Sequence, residues 1–330
     1  MTGTPGTAFY CVTGRDFFPG AVALLNSLRL LGHREPLFVL DCGMDPDQRE
    51  LLSAHAEVLP AASDAPPSLL KLVAPLARPA AVMVLLDADV IVTRPLTELI
   101  EHAAAGRLVA FENESSRFFP EWSELLDLGP LRRGPYVTSS ALFLEGDLAS
   151  RLVPVVEEKQ ARLSVRRTWL GAGVEGDPLF FADQDVLNAV ILSRLEPDRV
   201  LALDQRLSAI PPFAGLRLVD EGTLRCRYRD GTEPYMLHHY YRKPWLVPMR
   251  SNVYSRLLTR LLLGSDVALR LDRRALPLRL RTGVGAGAGR LATDIVIGIP
   301  SSVRRRLRPR ARKIRAWPAS RSATDGSRAR

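Results

Sequence analysis

Along the first 110 positions, apolar and polar residues switch repeatedly between two periods. Ala8–Thr13, Leu37–Leu40 and Val58-Leu59 are short apolar runs of strand length. Between the first two, Phe18–Leu31 spaces Val22, Leu25 and Leu28, with Leu31 as an extension, along one helical face, and Gly32 follows as a C-cap. Asp45-Pro46 joins an N-cap to a proline at the first helical position and predicts a second helix to about Ala54. Ser68–Ala77 reads as a further helix, carrying Lys71. Val82–Leu86 is apolar at every position, the pattern of a strand buried on both faces. Such alternation predicts βαβ units: an α/β chain with a mostly parallel sheet flanked by helices.

Further strands are expected at Val90–Val92, Leu108–Phe111, Tyr136–Leu144, Val200–Leu203 and Tyr235–His239. Asp147 is expected to cap a helix reaching about Arg162, and Asp183 to cap one over Gln184–Arg194 with Leu187, Ile191 and Leu195 inward. Gly171–Asp177 is a glycine-rich loop. No internal repeat is visible. The compact body is expected over residues 1–265, followed by an extension, 266–303, that contains the flexible Gly283–Gly289 segment and the apolar Leu291–Ile299 stretch, and then by a basic tail, 304–330.

Composition sharpens this picture in three places. With 46% apolar and 25% charged residues among 330, the chain is ordinary globular material. The longest strictly apolar run, Ala80–Leu86, is far short of the ~20 residues a bilayer-spanning helix needs, and Met1–Thr7 lacks the features of a secretory signal. Three cysteines, Cys11, Cys42 and Cys226, show no metal-ligand spacing. These features imply a reducing, cytoplasmic setting. The net charge of +9 is localised: from Arg304 onward eleven basic residues face Asp325 alone, a net of +10 that leaves the body near −1. Without a reader motif, this tail argues against nucleic-acid recognition by the fold and suits peripheral contact with an anionic membrane. Only 4 of the 45 basic residues are lysines, which suggests the GC-rich coding of a bacterium.

Three segments can carry chemistry. Leu85-Leu86-Asp87-Ala88-Asp89 runs an apolar strand into two carboxylates one residue apart, at the strand end where open α/β sheets bind ligands. Two such carboxylates can share a hard divalent cation with phosphate oxygens, although a DxD alone can equally solvate a turn. Asp183-Gln184-Asp185-Val186-Leu187-Asn188 suits a helix start whose acids favour the dipole, yet Gln184 and Asn188 share one side, which a cap does not require. His238-His239-Tyr240-Tyr241-Arg242-Lys243-Pro244-Trp245 offers an imidazole to complete a metal shell and an ammonium for a diphosphate.

In this order and at these distances, together with the Phe9–Leu30 strand and helix and the Thr138-Ser139-Ser140-Ala141-Leu142-Phe143-Leu144 strand, the segments resemble glycosyltransferase family 8, the glycogenin and lipopolysaccharide galactosyltransferase group, which has the GT-A fold. The resemblance covers roughly residues 7 to 250. It implies Mn2+ or Mg2+ on Asp87, Asp89 and His238, with His239 as the alternative third ligand. Asp87 would also lie near the nucleotide ribose, and Lys243 on the diphosphate. Lys71 matches a basic position that contacts the donor sugar or phosphate. Asp183, Gln184 and Asp185 would surround the sugar, and Cys11, Val12 and Thr13 would hold the base of a nucleotide-sugar donor, a UDP-sugar by analogy. Transfer would proceed with retention to a glycan, lipid-linked or small-molecule acceptor. Three departures stand out: a shortened gap between histidine and lysine, Thr138-Ser139-Ser140 where the family usually has Asn-Ser-Gly, and no acidic or asparagine base-binding residue at the start of strand one.

A nucleotidyltransferase of related fold is the nearest alternative, but Gly14-Arg15-Asp16 lacks its glycine-rich, lysine-bearing phosphate loop. A decayed nucleotide-sugar binding protein is another. The acceptor is expected at the Ser115–Pro135 and Arg166–Asp177 loops, where Phe118, Phe119, Trp122 and Trp169 can either stack on a ring or pack the loops.

Overall fold

The computed structural model describes residues 5–247, 249 and 251–281. The expected Gly283–Gly289 segment, the Leu291–Ile299 stretch and the basic 304–330 tail lie outside the described residues, among which no helix is long and apolar enough to cross a membrane.

In chain order the strands are β1 (Thr7–Thr13), β2 (Leu37–Asp41), β3 (Glu57–Pro60), β4 (Val82–Leu86), β5 (Val90–Val92), β6 (Leu108–Glu112), β7 (Val137–Glu145), β8 (Val200–Leu203), β9 (Ser208–Ala209), β10 (Arg217–Asp220), β11 (Arg225–Arg227) and β12 (Met236–His238). The α-helices are α1 (Phe18–Leu30), α2 (Pro46–Ser53), α3 (Val73–Ala77), α4 (Thr97–Ala104), α5 (Trp122–Leu125), α6 (Gly146–Ala161), α7 (Asp183–Arg194) and α8 (Val253–Leu263).

Seven strands form one sheet in the order β3-β2-β1-β4-β7-β6-β8, in which only β7 runs antiparallel to its neighbours. Alternation along the strands feeds two cores. Phe9, Cys11, Val84 and Leu86 face α1 and α8, whereas Tyr10, Met83 and Leu85 face α6 and α7. A small sheet, β5-β12-β9, continues from the end of β4 and sets His238 of β12 opposite Val90 of β5, one residue beyond Asp89. Sequence-distant chemistry is thereby brought onto one strand end.

The local rules hold where partners are close in sequence. Asp45 and Gln48 make a reciprocal capping box on α2, and Gly32 follows α1 with φ of +90°. Elsewhere tertiary contacts changed the expected elements. α1 is buried almost all round rather than on one stripe, because it lies between the main sheet, β5 and α8. The buried Asn26 side chain on α1 donates to Leu261 O and Leu269 O, 2.7 Å each, and accepts from Leu269 N at 2.9 Å, satisfying backbone groups of α8 and the segment after it. Leu269, Leu271, Leu276 and Leu280 join the same core.

The helix expected over Ser68–Ala77 is broken into a 3-10 turn, Pro67–Leu70, and the short α3, with Lys71 at the joint. Glu145, not Asp147, caps α6 through Leu148 N at 3.0 Å. Asp183 is the first residue of α7 rather than its cap. The N-cap is Ala182, whose φ of 51° and ψ of −115° are strained for a residue with a Cβ, a conformation that typically costs about 1–3 kcal/mol.

Candidate active site

β4 delivers Asp87 and Asp89 from the carboxyl end of the central strand into the turn before β5. Asp87 N donates to Ser140 O of β7 at 2.9 Å, and Val90 N to Asp87 O at 3.0 Å, so the turn is fixed at both ends. From behind, α1 presses on Ala88. A Cβ on Gly20 would stand 2.3 Å from Ala88 O and 2.8 Å from the Trp245 ring, so this position requires glycine. Trp245 is held in turn by its ring N–H on Asp16 O at 2.6 Å. The Lys-Pro-Trp segment is thus bolted to the start of α1.

Ligand atoms of Asp87, Asp89 and His238 all lie within 4.8 Å of one another. His238 Nε2 is 3.3 Å from Asp89 Oδ1 and 3.9 Å from Asp87 Oδ2. Apart from the neighbouring His238 Nε2, the buried Asp89 Oδ1 has no hydrogen-bond partner among the described residues, as suits a ligand oxygen. Two carboxylates and an imidazole suit a hard or borderline divalent cation, and the residues present fit such an ion.

The neighbouring histidine is placed differently. His239 is buried, lies edge-on to Tyr254 at 4.9 Å and tilted to Phe213 at 5.7 Å, and neither ring nitrogen has a hydrogen-bond partner among the described residues. Burial, reinforced by Lys243, lowers its pKa to about 4. Its backbone N–H and the Tyr254 hydroxyl both donate to Asp89 O, at 3.1 and 2.9 Å. His239 therefore braces the turn, while His238 faces the carboxylates.

Two ammonium groups join the acids. Lys243 Nζ forms a very short contact with Asp89 Oδ2, donates to His239 O at 2.6 Å and lies over the Phe17 ring. Lys71 Nζ is 2.8 Å from Asp87 Oδ1 and 3.1 Å from Asp183 Oδ2, and donates to Ser139 Oγ at 3.2 Å. Burial lowers the Lys71 pKa, but Asp183 and Asp87 outweigh it and the net direction is upward, so Lys71 is charged. Burial likewise pushes Asp89 up while His238 and Lys243 pull harder, and its carboxyl falls well below the usual carboxylate range. Asp87 moves the other way, because burial and the charge of Asp89 together outweigh Lys71.

The strained turn at Ala182 aims Asp183 at this group, where it accepts from Ser139 Oγ at 2.7 Å. Gln184 lies beside it: Oε1 accepts from Ser139 N at 3.3 Å and Nε2 donates to Tyr136 Oη at 3.0 Å. Asp185 turns away from the cleft and is fully buried, gripped by Arg117 through two 3.0 Å contacts and by Tyr136 at 2.7 Å. Asn188 spends its amide on both backbone groups of Val137. On β1, Cys11 and Thr13 are buried and Val12 partly so; the Cys11 thiol, close enough to feel Asp87 and Asp89, is pushed upward chiefly by burial.

Sequence reasoning missed Arg117, Tyr136, Gly20 and Tyr254, which carry no local motif and gain their roles only across the fold. Of the two roles open to Trp122, stacking on a ring or packing the loop, the structure shows the second. That ring is fully buried with its N–H on Pro178 O at 2.6 Å, so it packs the loop, whereas Trp169 is exposed.

No family model matches the chain, and no curated protein matches it. Solved structures do. An active-site mutant of LgtC is 13% identical over 80% of this chain and 98% of that chain, with a TM-score of 0.51. The bifunctional glycosyltransferase WbbM is 13% identical over 81% of this chain and 51% of that one, with a TM-score of 0.50. The chain has the GT-A fold of these glycosyltransferases. In that fold the Asp87–Asp89–His238 cluster sits where the central strand β4 ends, the crevice that open α/β sheets offer to ligands.

Proposed function

We propose that the protein is a divalent-metal-dependent glycosyltransferase that moves a sugar from a nucleotide diphosphate-sugar, a UDP-sugar in the first instance, onto a hydroxyl acceptor. The observation that carries this reading is the convergence of Asp87, Asp89, His238, Lys71 and Lys243 on one strand end of a GT-A fold.

Departure of a nucleoside diphosphate leaves negative charge on two phosphates. A cation on Asp87, Asp89 and His238 would act as a Lewis acid on those oxygens. Lys243 supplies a second positive charge from a buried position beside Asp89, braced by His239 O and Phe17. Lys71, shared between Asp87 and Asp183, links the phosphate end of the site to the sugar end. The Asp183 carboxylate, which accepts from Ser139 Oγ, would accept sugar hydroxyls, and the Gln184 carboxamide would present a neutral dipole. Because an amide is a poor nucleophile, substitution on the same face, with the acceptor proton passing to the leaving phosphate, accounts for retention without a covalent intermediate. Cys11, Val12 and Thr13 at the end of β1 are the proposed support for the base. A glycan, lipid-linked or small-molecule acceptor would enter beside exposed Trp169.

The test is a panel of nucleotide sugars with Mn2+, scored by release of the nucleoside diphosphate, beside calorimetric titration of UDP with and without Mn2+. Turnover of at least one donor that requires metal is expected. Failure to bind UDP in the presence of Mn2+ would overturn the proposal, and binding without turnover would assign a nucleotide-sugar binding protein instead.

A further inference from the structure

The Gln184 amide can occupy its place in two ways, with Oε1 and Nε2 exchanged, and the two orientations present opposite charge to a bound sugar. Its neighbours decide between them. On one side is the Ser139 backbone N–H, 3.3 Å away, which can only donate. On the other is the Tyr136 hydroxyl, 3.0 Å away, which can donate or accept.

That hydroxyl also lies 2.7 Å from Asp185 Oδ1, so its single proton must go one way. Arg117 Nε and Nη2 each point at one Asp185 oxygen from 3.0 Å, and Phe181 N–H donates to Oδ2 at 2.7 Å. Burial pushes the Asp185 carboxyl up, but these three N–H groups fill three of its roughly four lone-pair positions and the Arg117 guanidinium keeps its charge, so the ionised carboxylate is the form they match and its fourth lone pair, on Oδ1, is left for the Tyr136 hydroxyl. Asp185 accepts from Tyr136, and the Tyr136 lone pair accepts from Gln184 Nε2. Arg117 is itself locked: Phe119 and Phe181 lie on it at 4.8 Å each, and it donates to Glu175 O at 3.1 Å and Asp177 O at 2.8 Å.

We propose that Arg117, Asp185 and Tyr136 are positioning residues that fix the polarity of the Gln184 amide, turning its carbonyl oxygen to the Ser139 and Asp183 side of the cleft and its nitrogen away. The consequence for rate rests on the glycosyltransfer reading: positive charge growing on the sugar as the diphosphate leaves is stabilised by a carbonyl oxygen and opposed by an amide N–H. On this account Asp185 never meets the sugar. It acts through Tyr136.

Tyr136→Phe removes only the hydroxyl from the chain of donors. In a 15N-edited spectrum with Gln184 assigned by its loss in Gln184→Ala, the Gln184 side-chain pair is expected to move in Tyr136→Phe while the Asn188 pair, which reports the intact β7–α7 contact, stays in place. An unmoved Gln184 pair would overturn the proposal, and this readout needs no donor. With Mn2+ and UDP-glucose or UDP-galactose, whichever is hydrolysed, Tyr136→Phe is expected to lower kcat by about tenfold or more at unchanged KM for the donor. In a Gln184→Ala background the same change is expected to cost less than about twofold, since nothing remains to orient. Fully additive losses, or a rise in KM alone, would also overturn it. Absence of turnover by the unmodified protein would count against the transferase reading, and the spectrum would still decide the positioning role.

Discussion

Gly20→Ala sets two calculable effects against each other. Within a helix, alanine is favoured over glycine by up to about 1 kcal/mol. The added methyl, however, would stand 2.3 Å from Ala88 O and 2.8 Å from a Trp245 ring carbon. Neither neighbour can yield cheaply. Ala88 O belongs to the backbone between the two candidate metal carboxylates, and Trp245 is pinned to Asp16 O. Forcing a methylene into such a site typically costs about 1–3 kcal/mol, and more where the obstacle is backbone. A net destabilisation of about 1–2 kcal/mol is therefore expected in urea unfolding. Relief of the clash would move the Asp87–Asp89 turn, so Mn2+ affinity is expected to fall by about tenfold or more, the equivalent of about 1.4 kcal/mol. Gly32→Ala is the control: it has φ of +90° and nothing within 4 Å of the new methyl, so it should cost stability through backbone strain alone and leave Mn2+ binding intact. A Gly20→Ala protein as stable as the original, with unchanged Mn2+ affinity, would refute the claim that close approach of α1 shapes the site.

Asp89→Asn is expected to lower turnover by about 10²-fold or more without unfolding the protein, and equal turnover at saturating donor would remove Asp89 from the metal site. His238→Ala should weaken Mn2+ binding measured by calorimetry, whereas His239→Phe should leave it nearly unchanged; the reverse order would give the ligand role to His239. His239 also sets a pH dependence. Its folded pKa of about 4 lies below the ordinary 6.5, so the unfolded chain binds the proton first, and its contribution to stability is present above pH 6.5 and lost as pH falls toward 4. Between pH 7 and 5 this loss is worth about 2 kcal/mol, and the pH dependence of urea unfolding should flatten by that amount in His239→Phe. Lys71→Met should tighten Mn2+ binding to the protein alone by relieving repulsion between like charges, and weaken binding of UDP with Mn2+; loss of Mn2+ affinity in both cases would contradict the pairing of Lys71 with Asp87.

Much of this protein was legible without its structure. Strands β1, β2, β4 and β8 follow from apolar runs of the right length, and α2 from Asp45-Pro46, because those signals lie within a few residues of their effects. The Asp87-Ala88-Asp89 turn could be placed at a strand end for the same reason. Long-range contacts decided the rest. Whether His238 or His239 faces the carboxylates depends on the register of β12 against β5, which points one ring at Asp89 and the next into the Phe213–Tyr254 box. Asp183-Gln184-Asp185 has the composition of an ordinary helix start. Only the positive φ of Ala182, the Lys71 ammonium arriving from a broken helix and Arg117 from a distant loop distribute those three side chains between the cleft and the interior. Hydrophobic period and capping are local energies and are written locally. The partner of a buried charge is chosen by whichever opposite charge the fold brings within about 3–4 Å, and that choice has no local signature.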